Sequence, residues 1–407
     1  MLQAALKSGV AHKKAVFELF TRRLPEGRNY GVVAGTERAL KAIRDFKFDK
    51  AEIDYLEDHL NAETIEYLRN FKFTGTVYGY REGEFFFPFS PIITIEGTFG
   101  EAVLFETILL SIYNYDSAVA SHASRIRKVA GKTSLSELGA RRANEDAAVV
   151  AARAAYIAGW DGTSNLLAGQ RYGVPAFGTS AHAFTLAHED ETEAFRQQVA
   201  ALGIHTTLLV DTYNIEQGIR NAILAAGVNL GAVRLDSGDP FVEIPAARQL
   251  LDELGAVNTR IVFSGDLDYE TVKAITEADL PIDGFGIGSD VVTGGGFPNC
   301  GFVYKLVEIE YDDGQMHPVA KNSSSKNSIG GRKTVYRGLD DDWNIDSENI
   351  FVGTPTPAEI AGMTAIQEVF IHKGATINVP DLKQARERHA ENLSAMPIGK
   401  TVQVNIH

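Results

Sequence analysis

The chain has 407 residues, 44% hydrophobic and 23% charged, which suffices for a large core and suggests two domains rather than one. Its formal net charge of -14 argues against a nucleic-acid partner, which needs a net basic face. The single cysteine, Cys300, excludes an internal disulfide, has no zinc-type spacing and reads as a small filler. There is no run of about 18 apolar residues and no signal-peptide pattern at MLQAALKSGVAHKK, so a cytoplasmic protein without a membrane partner is the simplest expectation.

Taken in chain order, FKFTGTVYGYREGEFFFPFSPIITIEG (71–97) alternates with the period of short strands and turns, and 100–131 carries a long helical pattern. ANEDAAVVAARAAYIAGW (143–160) reads as a second helix, and GVPAFGTS (173–180) as a buried strand. A rhythm follows. HTTLLVDTYN, GAVRLDSGD, RIVFSGDLD and IDGFGIGSD each hold a short apolar run ending in Asp, Ser or Gly, and between them lie segments with helical spacing that close on Gly or Pro. Such alternation is a series of βα units around a parallel sheet, and its unbroken pattern favours a full or partial α/β barrel over an open sheet. After residue 300, FVYKLVEIEYDDG and GRKTVYRG return to strands of period two. The expected organisation is a discontinuous α+β domain from 1–130 plus 301–407, with a barrel domain of 131–300 inserted in it.

In a barrel the strand C-termini converge on one face, where the chemistry sits. Thr179, His182, Asp211, Arg234, Asp236, Ser264, Asp266, Gly288 and Ser289 would then ring one mouth. Each alone has a plain structural reading, since an Asp after a strand is often only a helix cap and a lone His is often structural. Their coincidence at successive strand ends carries the weight. GFGIGSDVVTGGG can cradle a phosphate or be a flexible turn, but GGGFPNCGF cannot supply the helix that a dinucleotide turn requires. Arg234 and Asp236, two apart on a strand, share a face. They suit an anion clamp with a ribose or Mg²⁺ acid, or an internal ion pair at the rim. Arg141 and Arg142 in ELGARRA, and Lys326, Arg332 and Lys333 in KNSSSKNSIGGRK, add cations and imply anionic substrates.

FELFTRRLPEGRNYGVVAG, ELGARRA, FGTSAHAF, LLVDTYN, VRLDSGDP, FSGDLD and FGIGSD, in this order from about residue 15 to about residue 340, resemble the nicotinate phosphoribosyltransferase family. The nicotinamide-using transferases are more distant relatives. The resemblance implies joining of nicotinate to 5-phosphoribosyl 1-diphosphate to give nicotinate mononucleotide and diphosphate, coupled to ATP hydrolysis, with Mg²⁺, in a homodimer whose sites lie at the subunit interface. Carried over by position, His182 matches the histidine phosphorylated by ATP and Asp211 the carboxylate that orients it. Thr179 and Arg234 match positions that hold nicotinate, and Arg141 looks like an active-site arginine for a substrate anion. Asp236 and Asp266 resemble the acids near ribose and metal, while Gly265, Gly288, Ser289 and Gly295 fall to the phosphates. Ser289 replaces the family's Thr and keeps the hydroxyl.

There is one departure. Family members usually begin with a TDxYxxTM-like segment whose Tyr stacks on nicotinate, and this sequence starts at MLQAAL. The expectations are that the segment precedes these residues or that an aromatic such as Phe17 takes over, and that an extension carrying the Tyr lowers KM for nicotinate. Leu138 stands where nicotinamide users carry an aromatic, and Ser164 where they carry Asp, an arrangement that suits a substrate carboxylate. The alternatives are a related transferase using nicotinamide or quinolinate, and a non-catalytic phosphosugar binder of the same fold.

Overall fold

Four of the expected strands, Thr207–Leu209, Ala232–Leu235, Arg260–Phe263 and Gly284–Ile287, lie side by side and parallel in chain order. Two more precede them in the chain. Ser134–Glu137 pairs in parallel with Gly284–Ile287, so the first strand joins the last, and Gly162–Thr163 extends the sheet beyond it. A bridge from Thr163 to Ala176 adds the GVPAFGTS segment. The computed structural model describes residues 1–323, 327–396 and 401–407. The result is a curled parallel sheet, a barrel open along one seam between residues 175–177 and Thr207–Leu209. Sequence patterning misses Ser134–Glu137 because Leu135 is its only apolar residue.

Helix caps explain the spacing of the strand-end acids. Asn214, Asp239 and Asp268 accept hydrogen bonds from Gln217, Phe241 and Thr271 N–H and cap Ile215–Ala226, Pro240–Glu253 and Tyr269–Glu277. Asp211, Asp236 and Asp266, two or three residues earlier, are therefore not caps. The plain reading of those three acids is removed, and each is left for another use.

The chain divides into His122–Pro298, which holds this sheet, and a second unit made of Met1–Ser121 and Asn299–His407. In the second unit Lys14–Thr21 pairs antiparallel with Phe302–Glu310 on one side and Ile93–Thr98 on the other, inside a seven-stranded sheet. Both chain ends thus build one α+β unit. Phe17 is buried in it, stacked on Tyr304 at 5.0 Å, and cannot stand against a substrate ring. Cys300 is buried as well, and burial pushes its thiol up to about 12, so it is filler rather than a nucleophile.

Two of the cations in KNSSSKNSIGGRK, which suits a phosphate-contacting loop and equally an exposed linker, belong instead to this framework. Lys333 is buried, with Nζ 2.7 Å from Glu18 and further bonds to the Ile329 and Gly331 carbonyls. Arg332 pairs with Glu96 at 2.6 Å and lies over the Tyr78 ring. Lys326, the third cation, lies outside the described residues. Lys333→Met leaves the Glu18 carboxylate buried without its partner, and should lower stability by about 3–5 kcal/mol in denaturant titration. Adding Glu18→Met should recover most of that loss; a Lys333→Met protein as stable as the parent would show the pair to be dispensable.

Candidate active site

Arg234 is the hub of the site. Alternation along Ala232–Leu235 buries Val233 and Leu235 and turns Arg234 and then Asp236 to the other face. Its guanidinium donates from Nε to Ser264 Oγ, from Nη1 to Thr179 Oγ1 and from Nη2 to Asp236 Oδ1, each at 2.7 Å. The internal ion pair is therefore present, and it does not exhaust the residue. A guanidinium carries five N–H donors, so about two remain for a planar anion. Asp236 Oδ1 also accepts from Ser264 Oγ at 2.5 Å.

His182 opens the short helix His182–Leu186 and is partly exposed. Its Nδ1 lies 3.2 Å from Thr212 Oγ1, while Nε2 faces Asp211 Oδ1 at 3.8 Å and Asp236 Oδ2 at 3.9 Å. Asp211 is anchored through Oδ2, which accepts from Asp236 N–H at 3.0 Å and Ser237 Oγ at 2.6 Å. Its Oδ1 is buried and has no hydrogen-bond partner, an arrangement that costs free energy unless a donor arrives. The imidazole is the nearest candidate. Thr212, one residue past Asp211, is a contact that sequence reasoning did not single out.

The open seam is fastened beside this histidine. Gln198, buried on helix Glu191–Leu202, donates to Thr206 Oγ1 and the Thr207 carbonyl and accepts from Ser180 Oγ at 2.5 Å. One side chain thus stands in for the missing strand pairing and ties down the Thr179–His182 loop. Nothing in its helical context marks it out in sequence.

A cavity of about 540 Å³ opens at the strand ends, lined by Leu138, Arg141, Arg142, Arg234, Asp236, Ser264, Asp266, Gly286, Gly288 and Ser289 among others. Arg141 and Arg142 are exposed there and make no side-chain ion pair among the described residues. Three glycines, Gly286 and Gly288 in its lining and Gly265 behind Asp236, are packed too closely for a larger residue to fit without a shift. A Cβ on Gly286 would lie 2.5 Å from Leu138 Cδ1, one on Gly265 2.9 Å from the Asp236 carbonyl oxygen, and one on Gly288 3.3 Å from the Leu138 carbonyl oxygen. Asp266 has φ 41°, a left-handed conformation that Asp tolerates better than most residues and that concentrates at functional sites.

Six of the expected residues are outside the cavity lining: Thr179, His182, Asp211 and Gly265 adjoin it through Arg234 and Asp236, whereas Gly295 and Ser164 sit apart. Gly295, assigned above to phosphate, has its N–H committed to the Asp290 carbonyl at 2.8 Å and packs on the His122 ring. Ser164 is exposed at its strand end, with its N–H donated to the Glu137 carbonyl. Glu137 itself is buried and accepts from Gly139 N–H and Thr163 Oγ1; burial raises its pKa against those two bonds. It pins the turn that presents Leu138 and Arg141.

The donor set suits a hard cation. Among the described residues no three acidic, His or Cys side chains gather as a metal site, but Asp236 Oδ1 is used by Arg234 and Ser264, which leaves its second oxygen and the exposed Asp266 carboxylate on a cavity wall that also carries three arginines. Mg²⁺ binds through one or two carboxylates completed by water and substrate phosphate.

Comparison with known proteins gives a consistent result. Models of the nicotinate phosphoribosyltransferase N-terminal domain and of the nicotinate phosphoribosyltransferase family match residues 1–114 and 133–353. Nicotinate phosphoribosyltransferase pncB1 of Mycobacterium tuberculosis is 47% identical over 405 residues, covering 98% of this chain and 89% of its own. The Bacillus subtilis nicotinate phosphoribosyltransferase is 41% identical over 348 residues, covering 83% and 71%. Among solved structures, human nicotinic acid phosphoribosyltransferase superposes with a TM-score of 0.86 at 24% identity, over 100% of this chain and 95% of that one.

Proposed function

The chain belongs to the nicotinate phosphoribosyltransferase family, enzymes of NAD biosynthesis, and from that premise we propose that it couples mononucleotide formation to ATP through a phosphate on His182. The observation that carries this reading is the His182 environment: one ring nitrogen against Thr212, the other facing two carboxylates, one of which has a buried oxygen with no partner. A carboxylate at Nε2 favours a proton there and leaves the Nδ1 lone pair as nucleophile. Phosphoryl transfer forms the N–P bond, breaks the bond from the γ-phosphorus to the ADP oxygen, and returns the group to water as phosphate.

In the transferase reaction the pyridine nitrogen bonds to the ribose anomeric carbon as its bond to diphosphate breaks. Positive charge builds on that carbon, so the pyridine needs to be aimed and the departing anion stabilised. Arg234, held flat by three partners, offers its remaining donors to the nicotinate carboxylate, with Thr179 fixing its tilt. Arg141 and the Gly288–Ser289 turn take the phosphates, and Asp236 the ribose. Mg²⁺ on Asp236 and Asp266 would neutralise charge on the diphosphate.

The test is to supply nicotinate or nicotinamide with phosphoribosyl diphosphate, with and without γ-labelled ATP. Product is expected from nicotinate, faster with ATP and accompanied by acid-labile protein label. Product without label would retain the transferase and remove the phosphohistidine.

A homodimer is the second part of the reading. Leu166, Phe177, Leu186, Tyr213 and Val242 are exposed and all follow strand segments of the barrel in the chain, which supports an apolar interface on that side. Light scattering at micromolar concentration should give twice the chain mass, and Leu166→Glu with Tyr213→Glu should give monomer with reduced activity. A fully active wild-type monomer would sink it.

A further inference from the structure

The geometry points to His122 and Asp290 as a clamp that draws a carboxylate away from the phosphate end of the cavity, which makes His122 a positioning residue for the phosphoribosyl diphosphate. This rests on the reading of the cavity as the site for that substrate. Asp290 is the second residue of the short helix Ser289–Val292 and lines the cavity beside Gly288, Ser289 and Thr293. An unrestrained acid there would repel every anion the turn is meant to hold. It is not unrestrained. Its Oδ2 lies 2.6 Å from Nε2 of His122, whose side chain is only 3% exposed.

The histidine's own state is fixed by what surrounds it. Nδ1 is buried and has no hydrogen-bond partner, so a proton there would be an orphaned donor costing about 1–3 kcal/mol. The proton belongs on Nε2, which donates to Asp290. The ring cannot swing away, because Gly295, at φ 63°, lies directly on it: a Cβ there would come within 2.3 Å of Cε1 and 2.4 Å of Nδ1. Gly295 in turn donates its N–H to the Asp290 carbonyl at 2.8 Å. The segment from Asp290 to Gly295 therefore folds around the His122 ring, with the acid held at one end and, at the other, a glycine whose replacement would force the ring to shift.

This arrangement predicts a charge effect that packing alone does not. His122→Ala frees Asp290 to turn into the cavity, and should weaken binding of inorganic diphosphate with Mg²⁺ about tenfold by calorimetry, the equivalent of about 1.4 kcal/mol. KM for nicotinate should stay within about twofold. His122→Gln, which keeps a donor at the same reach, should bind as the parent does. The deciding variant is His122→Ala with Asp290→Asn: removing the charge should restore most of the lost affinity. If His122→Ala does not fold, His122→Leu, which keeps an apolar plug under Gly295, takes its place alone and with Asp290→Asn. Unchanged diphosphate affinity in the single variant, or no recovery in the double, overturns the clamp, as does a parent protein that binds no diphosphate. Turnover of nicotinate by the parent is measured separately: its absence with the affinity pattern intact would remove the transferase reading and leave the clamp standing.

Discussion

Arg234→Met should lower kcat/KM for nicotinate by roughly 10²–10⁴-fold, the counterpart of about 3–5 kcal/mol for breaking a hydrogen-bonded charge pair and leaving its partners unmatched. Three side chains, Ser264, Thr179 and Asp236, are organised around this one guanidinium, so the loss falls on the substrate carboxylate and on Asp236 together. Lysine should not rescue it. An ammonium has three donors and no plane, and cannot serve three fixed acceptors and a carboxylate at once. The discriminating measurement is the ratio of nicotinate to nicotinamide turnover, which should collapse toward one in Arg234→Met even as total activity falls. A preserved ratio would mean that Arg234 is only the rim ion pair that the sequence also allowed.

His182→Ala is expected to abolish acid-labile labelling from ATP and to make the rate with ATP equal to the rate without it. Coupling free energies between sites are typically about 1–3 kcal/mol, so the ATP-stimulated rate should drop roughly 5–150-fold while ATP-independent transfer persists. The logic is that His182 touches Thr212 and faces Asp211 and Asp236, whereas Arg234 and the cavity arginines are arranged without its help. Asp211→Asn should give a milder version, since the amide still offers one oxygen to Asp236 N–H and Ser237 Oγ but no longer a full charge to the imidazole. Labelling that survives in His182→Ala would move the phosphoryl acceptor elsewhere. Loss of ATP-independent transfer as well would make His182 part of the transfer step itself.

Gln198 and Glu137 show how such a site is kept rigid. Neither touches the cavity, yet one closes the barrel seam next to the His182 loop and the other pins the turn that carries Arg141. Both are buried polar side chains whose bonds run to backbone and hydroxyl groups, which is how a low-dielectric interior fixes geometry.

The sequence by itself determined the parallel βα series, because period and turn residues are local properties: apolar runs closing on Asp, Ser or Gly, followed by capped helices, leave few alternatives. It also determined that Arg234 and Asp236 share a face, since strand alternation needs only the register of two residues. Only the tertiary structure decided which acids cap helices and which serve the site, because a carboxylate's partner depends on where the helix begins to within one residue. It alone decided that Lys333 and Arg332 serve the framework, since Glu18 and Glu96 lie more than two hundred positions away in the chain. It alone found Ser134–Glu137, whose single apolar residue gives no period to read, and joined it to Gly284–Ile287. Gln198, Glu137 and His122 were invisible for the same reason. A buried polar side chain is defined by its partners: Asp290 lies 168 positions from His122, and the nearer partners of Gln198 and Glu137 meet them only once the intervening loops and strand ends are folded.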